Sequence, residues 1–415
     1  MTPEPRGSPS PSPTPAPVLA LRAFVLKVAS RCNLNCSYCY VYNKADSTWR
    51  QRSPLMCDAV FDATLARIRE SCEASKQRKI EVTFHGGEPC LVGARRFDAW
   101  CTRARRTLDG VEIDFAMQTN GTLLDAEWVE ILAKHRVAVG VSVDGPREAH
   151  DRFRVDHRGR GSYDAVERGI GALRSGGVPF GILTVIPFGA DPLAVHRHLL
   201  SLGSAELSYL MPDFTHDTIG PIRALYGMTP CADFLGPVFD DWWLHGTLDV
   251  KIRDFWNIAR VVLGGPSEIE TFGGRPPFYV CVETDGDIEG LDVLRNCDHG
   301  MAGAGLNVQS AAFSEIAEVS ALHRQTIFEG MPLPRGCRAC PEQKTCAGGY
   351  LPHRYSRENG FDNPSVWCAD ILKLFSLIRR RLEVTVKETN QRRARLLRMS
   401  GRSRRVRTSG AESAL

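Results

Sequence analysis

The chain has 415 residues, 43% of them hydrophobic and 24% charged, with a formal net charge of +4. That is the composition of a globular protein with a large core, long enough for two folded parts. It excludes a bilayer-spanning helix, since no stretch approaches the roughly 20 uninterrupted apolar residues a span needs. It also excludes a secretory signal, since the N-terminus MTPEPRGSPSPSPTPAPV has no apolar core.

In chain order, residues 1–18 hold seven prolines and read as a disordered leader, and with no signal a cytoplasmic location is expected. Strand-like runs then alternate with helix-period segments. The strands are Phe24–Ala29, Glu81–Phe84, Ile113–Gln118, Val137–Val143, Phe180–Ile186 and Leu207–Leu210. The amphipathic stretches between them include Ala59–Ser71, Asp125–Lys134, Tyr163–Leu173 and Leu193–Leu202. Such alternation predicts parallel strands joined by right-handed crossovers, an α/β fold in the form of a partial (β/α)6 TIM-like barrel over 19–265. Chemistry is then expected at the C-terminal ends of the strands.

After about residue 265 the pattern changes to Gly, Pro and turn pairs, with a hairpin expected at Asp285-Gly286. A small loop-rich, cysteine-rich domain is expected over 266–370, and such modules often need metal to hold together. A C-terminal helix is expected over 371–390. Residues 391–415 carry eight arginines and one glutamate, which leaves the rest of the chain at −3. They read as a basic, solvated tail, with contact to nucleic acid or an acidic peptide as the alternative.

Fourteen cysteines in a reducing compartment point to metal rather than to disulfides where they cluster. Cys57, Cys72, Cys90, Cys101 and Cys231 stand singly and read as small buried apolar side chains. Directly after the first strand come Cys32, Cys36 and Cys39, at a CX3CX2C spacing. Three thiolates on one compact loop can hold three irons of a [4Fe–4S] cluster and leave the fourth open to a chelating small molecule. A structural zinc site would want a fourth ligand, and no further Cys or His stands near.

This loop, with the aromatic Tyr38 before its last cysteine, resembles the radical SAM superfamily. The resemblance implies a [4Fe–4S] cluster on Cys32, Cys36 and Cys39, with S-adenosyl-L-methionine on the open iron and a 5′-deoxyadenosyl radical as its product. Further motifs follow predicted strands in the expected order: His85-Gly86-Gly87-Glu88-Pro89, Gln118-Thr119-Asn120-Gly121, Ser142-Val143-Asp144-Gly145 and His150-Asp151-Arg152-Phe153-Arg154. By the same resemblance Tyr38, His85, Gly86, Gly87, Glu88, Asn120, Ser142 and Arg154 are expected around the SAM. Paired glycines let backbone approach closely, and a carboxylate can accept from an ammonium. An ordinary glycine turn is the alternative reading of each motif taken alone.

Near the other end Cys337, Cys340, Cys346 and Cys368 form CX2C-X5-C-X21-C, enough for a closed [4Fe–4S] cluster or a four-cysteine zinc site. Beside a radical SAM core this looks like the outer auxiliary cluster of a SPASM domain. The full SPASM pattern has seven cysteines and two auxiliary clusters. Here Tyr350 stands where a further cysteine is wanted, and only Cys281 and Cys297 remain, so one auxiliary cluster is expected.

The segments Phe24–Ser30, Tyr40-Val41-Tyr42, Gly348–Arg354 and Gly360–Val366 are similar to FxsB-type radical SAM/SPASM proteins, which include cyclophane-forming peptide maturases. That resemblance, over Phe24 to Leu372, implies a C–C crosslink between a β-carbon and an aromatic ring in a small precursor peptide. A flavodoxin- or ferredoxin-type electron donor is expected with it; no membrane partner is expected, for want of an apolar span, and nucleic acid is the less favoured partner. Asp213, at the end of the last strand, is the candidate base, with a helix or turn cap as its alternative. The rivals are a formylglycine-generating sulfatase maturase and, outside enzymes, a zinc-stabilised nucleic-acid-binding module.

Overall fold

The computed structural model describes residues 20–246 and 249–409; the Pro-rich leader lies outside them. Ten strands form one sheet: β1 Ala23–Ala29, β2 Lys79–Gly86, β3 Glu112–Thr119, β4 Ala138–Ser142, β5 Phe180–Val185, β6 Glu206–Leu210, β7 Lys251–Ile252, β8 Tyr279–Val282, β9 Asp287–Glu289 and β10 Gly303–Asn307. Their order is β10-β9-β8-β1-β2-β3-β4-β5-β6-β7. From β8 through β7 every pairing is parallel, while β8–β9 and β9–β10 are antiparallel. The six predicted strands are β1–β6, and because the first and last strands do not pair, the barrel is open.

Alternation decides which face is inside. In β2 and β3 every second residue is buried, Ile80, Val82 and Phe84 beside Ile113, Phe115 and Met117. Helices cover that face. One of them, Ala94–Thr107, was not among the predicted stretches, although Phe97, Trp100, Cys101 and Ala104 repeat at helical spacing and are buried. Of the single cysteines, Cys72, Cys90, Cys101 and Cys231 are buried, but Cys57 is exposed, against the reading of it as a core side chain.

The cysteine-rich segment does not stand apart. Its strand β8 lies along β1, with Phe24 opposite Val280 and Leu26 opposite Val282, so the central sheet continues into it. The expected hairpin is there: Gly286 adopts φ 91°, and its N–H donates to Glu283 O at 2.9 Å. The same hydrophobic core runs through both parts.

The C-terminal region departs from expectation. Instead of a helix over 371–390 followed by a disordered tail, two helices form, Cys368–Leu382 and Val386–Ser409. Glu383 at φ 52° ends the first. Thr385 and Glu388 then cap the second reciprocally, at 2.8 and 3.2 Å. Arg, Leu and Ala are good helix formers, so a composition that reads as disordered still propagates a capped helix. Its first turn is anchored by Thr389 Oγ1, which donates to Val262 O at 2.5 Å. Among the described residues no helix is long and apolar enough to cross a membrane.

Candidate active site

The cysteine loop leaves the C-terminal end of β1 and is stitched to the chain beyond β4. Asn35 N–H donates to Val155 O at 2.7 Å and Ser37 N–H to Phe153 O at 3.1 Å, while Cys39 N–H closes a turn on Cys36 O at 3.0 Å. All three thiols are free and partly exposed. Burial pushes Cys32 up to about 12 and Cys36 up to about 11, and the cysteines raise one another. They are neighbours that a bound cation would turn into thiolates. Donors already point at one sulfur: Leu34 N–H lies 3.4 Å and Asn120 Nδ2 3.7 Å from Cys32 Sγ.

Gly86 and Gly87 end β2, and the structure explains the pair by packing. A Cβ on Gly86 would collide with Ala29 O, and one on Gly87 with Arg31 O and Tyr42 Oη. What approaches closely is the backbone of the cysteine loop itself. Glu88 is fully buried, and its carboxylate accepts from Cys90 N at 2.9 Å, Thr119 Oγ1 at 2.7 Å and Asn120 N at 2.8 Å. It clasps the end of β2 to the end of β3. Asn120 continues the tie to the cysteine loop through Asn33 Oδ1 at 2.8 Å.

At the end of β4, Ser142 Oγ accepts from Gln118 Nε2 at 3.0 Å. Gly140 leaves room for that amide, since a Cβ there would meet it. Asp144, next in the same motif but not among the expected site residues, is the hub. It accepts from Tyr38 Oη at 2.5 Å, Arg154 Nε at 2.9 Å and Val185 N at 3.0 Å, and is wholly buried. Burial works against the Arg154 charge, but Asp144, helped by Tyr38 and Cys36, more than offsets it and holds the guanidinium above its ordinary pKa. Tyr38 and Arg154 thus form one unit under the cysteine loop, the Arg154 guanidinium 5.4 Å from the Tyr38 ring.

Beside the loop opens a cavity of about 720 Å³, walled by residues from many strand ends, among them Tyr40, His85, Gln118, Asp213, Asp292 and Tyr350. His85 is half-buried there, its Nδ1 enclosed with no hydrogen-bond partner among the described residues, and desolvation lowers its pKa. Asp213 lines the same cavity, its carboxylate 3.2 Å from His353 Nε2. Asp292 went unnoticed in the sequence, for it belongs to no motif. It accepts from Tyr40 Oη at 2.6 Å and pairs with Lys27 Nζ at 2.9 Å, and the Lys27 charge keeps it ionised despite burial, well below the usual carboxylate range. Both carboxylates face the cavity, but Asp292 is held by Lys27 and Tyr40.

Cys337, Cys340, Cys346 and Cys368 come together at the far side of the same segment. Burial pushes Cys346 up to about 12, with Cys368, Cys337 and Cys340 adding to the rise. The segment is pinned by a bidentate pair, Arg379 Nε and Nη2 on the Glu342 carboxylate at 2.6 and 2.8 Å. Cys281 and Cys297 are buried elsewhere. Their charged neighbours are carboxylates and Lys27 rather than other thiols.

Comparison with known proteins bears on this geometry. Residues 26–198 match the radical SAM superfamily. The chain is 27% identical over 368 residues to a cysteine-type anaerobic sulfatase-maturating enzyme of Clostridium perfringens, covering 86% of this chain and 95% of that one. It is 26% identical over 365 residues to a serine-type enzyme of Bacteroides thetaiotaomicron, covering 81% and 84%. Among solved structures, anSMEcpe with bound AdoMet and a Cp18Cys peptide aligns with a TM-score of 0.74 at 25% identity, over 90% of this chain and 99% of that one. Streptococcus suis SuiB bound to its precursor peptide SuiA shares the fold at a TM-score of 0.52 and 14% identity, over 80% and 72%. The cysteine loop at the mouth of the parallel sheet thus lies within the stretch that matches the radical SAM superfamily, and over most of its length the chain is similar to the anaerobic sulfatase-maturating enzymes.

Proposed function

We propose that the chain is a radical SAM oxidoreductase that modifies a side chain of a peptide. The observation that carries this reading is the position of three free thiols, Cys32, Cys36 and Cys39, on the loop after β1 beside the 720 Å³ cavity. Those thiols would hold a [4Fe–4S] cluster with one open iron for S-adenosylmethionine. When bound, the pair supplies a 5′-deoxyadenosyl radical that can take a hydrogen atom from a carbon of the substrate. Cys337, Cys340, Cys346 and Cys368 would hold one closed auxiliary cluster, whose chemistry is to accept an electron.

The protein's own groups have separate tasks. The Asp144–Arg154–Tyr38 unit and the Gln118–Ser142 pair present polar groups at the ends of β3 and β4, where the nucleoside and carboxylate of a bound SAM would need them. His85 contributes its ring to the cavity wall, where a substrate would pass. Asp213 is the base available for the proton that leaves when the substrate radical is oxidised, since Asp292 is committed to Lys27 and Tyr40.

Two products fit this machinery. Similarity to the sulfatase-maturating enzymes supports formylglycine formation from a Cys or Ser residue, and on the comparisons it is the better supported. The second reading, a C–C crosslink between a β-carbon and an aromatic ring, is favoured by Tyr350 in place of a SPASM cysteine and by the Gly348–Arg354 and Gly360–Val366 segments. Anaerobic turnover with SAM, a reductant and two peptides separates them, one carrying a Cys in a sulfatase-type context and the other an aromatic residue. An aldehyde trapped by a hydrazine on the first peptide is expected for formylglycine. Loss of two hydrogens from the second, with the ring joined to a β-carbon, would favour the crosslink. Deoxyadenosine that stays independent of every peptide would count against a peptide substrate.

A further inference from the structure

Between β1 and the β8–β9 hairpin lies a group of charges that the proposed chemistry does not use. Lys27 Nζ stands 2.9 Å from Asp292 and 3.8 Å from Glu283. Arg52 reaches Glu283, Asp285, Asp287 and Glu289 at 3.7, 2.7, 3.2 and 2.9 Å. Arg295 bonds Asp46, Glu283 and Glu289 at 2.5, 2.7 and 2.5 Å. Apart from Asp285 and Asp287 every side chain here is at most 10% exposed. Three cations thus face four buried carboxylates. Burial, helped by Glu283, pushes the Glu289 carboxyl upward.

The network joins residues 27–52, which flank the cysteine loop, to residues 283–295 of the C-terminal segment. That is where a seven-cysteine SPASM pattern would place part of its inner cluster, and the residues present do not fit one. Cys281 is fully buried among Asp292, Lys27, Glu289 and Glu283. Cys297 has Asp213 and Asp298 as its charged neighbours. Tyr350 packs on the His353 ring at 5.2 Å instead of offering a thiolate. A cluster inserted beside Cys281 would displace ion-pair partners and strand their charges in the interior, and its own thiolates would add negative charge where carboxylates already outnumber cations.

We propose that this ion-pair network stands in place of the inner auxiliary cluster: charge pairing, not iron, fastens residues 281–297 to the flank of the cysteine loop, and the chain holds iron at two sites only. The inference rests on the two-cluster reading above but goes beyond it, since it assigns the folding of this segment to Lys27, Arg52 and Arg295. A segment held by salt bridges keeps its structure when iron is removed, whereas one closed around a cluster does not.

The test is hydrogen exchange on the anaerobically reconstituted full chain before and after iron is stripped by a chelator, with iron counted in parallel. Amides of 281–297 should keep their protection, like those of β2 and β3, while those of 337–368 lose theirs. The Cys281→Ser/Cys297→Ser variant should retain the wild-type iron content of about eight per chain. In Arg295→Met, or in the gentler Glu289→Gln should Arg295→Met fail to fold, exchange at 281–297 should quicken with iron content unchanged. About twelve irons in the wild type, iron loss in the double serine variant, or loss of protection at 281–297 on stripping while β2 and β3 keep theirs would overturn the proposal. The catalytic reading would survive any of these, because it depends on Cys32, Cys36 and Cys39; loss of SAM cleavage is what would remove it.

Discussion

Replacing Asp144 by Asn tests whether the hub under the cysteine loop is an ion pair that positions Tyr38 and Arg154. The carboxylate is wholly buried and accepts from Tyr38 Oη, Arg154 Nε and Val185 N. An asparagine keeps one acceptor oxygen, enough for Val185 N, and turns an NH2 toward two donors. Arg154, only 7% exposed, is left as an uncompensated buried cation. Removing one partner of such a pair costs ~3–5 kcal/mol, whereas replacing both by neutral groups is often close to neutral. Asp144→Asn should therefore destabilise by about 4 kcal/mol, and Asp144→Asn/Arg154→Met by no more than about 2 kcal/mol. The assay is anaerobic urea unfolding of the wild type, the two single variants and the double, read as a thermodynamic cycle. A cost under about 1 kcal/mol for Asp144→Asn, or a double variant that costs the sum of the singles, would refute the pairing argument.

Gly87→Ala should block docking of the cysteine loop, because its Cβ collides with Arg31 O and Tyr42 Oη; about four irons of the eight should be lost, as counted after reconstitution. Cys346→Ala should lower peptide product far more than deoxyadenosine, with thermal unfolding followed alongside to separate electron transfer from folding. Glu270 is pushed up by burial from 4.5 to about 7. A carboxylate whose folded pKa is raised binds more protons folded than unfolded, so its contribution to stability falls as pH rises from about 4.5 to about 7 and is flat above. Glu270→Gln should flatten that part of the stability profile; an unchanged slope would show that Glu270 is not held protonated.

What the sequence made legible was local. The CX3CX2C loop, the glycine motif after β2 and the alternation of β1–β6 are all short-range patterns, and the fold follows from them. The helix Ala94–Thr107 was within reach of the same periodicity, though five arginines mask its apolar stripe. The roles of single site residues were less accessible. Glu88 belonged to a motif that suggested a ligand contact, yet its oxygens are taken up by Cys90, Thr119 and Asn120. Asp292, the Arg52–Glu289 pair and the parallel pairing of β8 with β1 join residues more than two hundred positions apart, and no periodicity in one sequence reports such a contact. The tail was misread because composition weighs charge, whereas the Thr385–Glu388 cap and helix propensity decide the backbone.

The central claim, that Cys32, Cys36 and Cys39 carry radical SAM chemistry, is tested most directly by deoxyadenosine formation. Anaerobically reconstituted, dithionite-reduced protein is incubated with SAM, and 5′-deoxyadenosine is quantified by mass spectrometry against the Cys32→Ala/Cys36→Ala/Cys39→Ala variant. The wild type should form deoxyadenosine, and the variant should form none while keeping about four irons at the C-terminal cysteines. A folded, iron-loaded wild type that leaves SAM intact, or a variant that cleaves it equally well, would contradict the account.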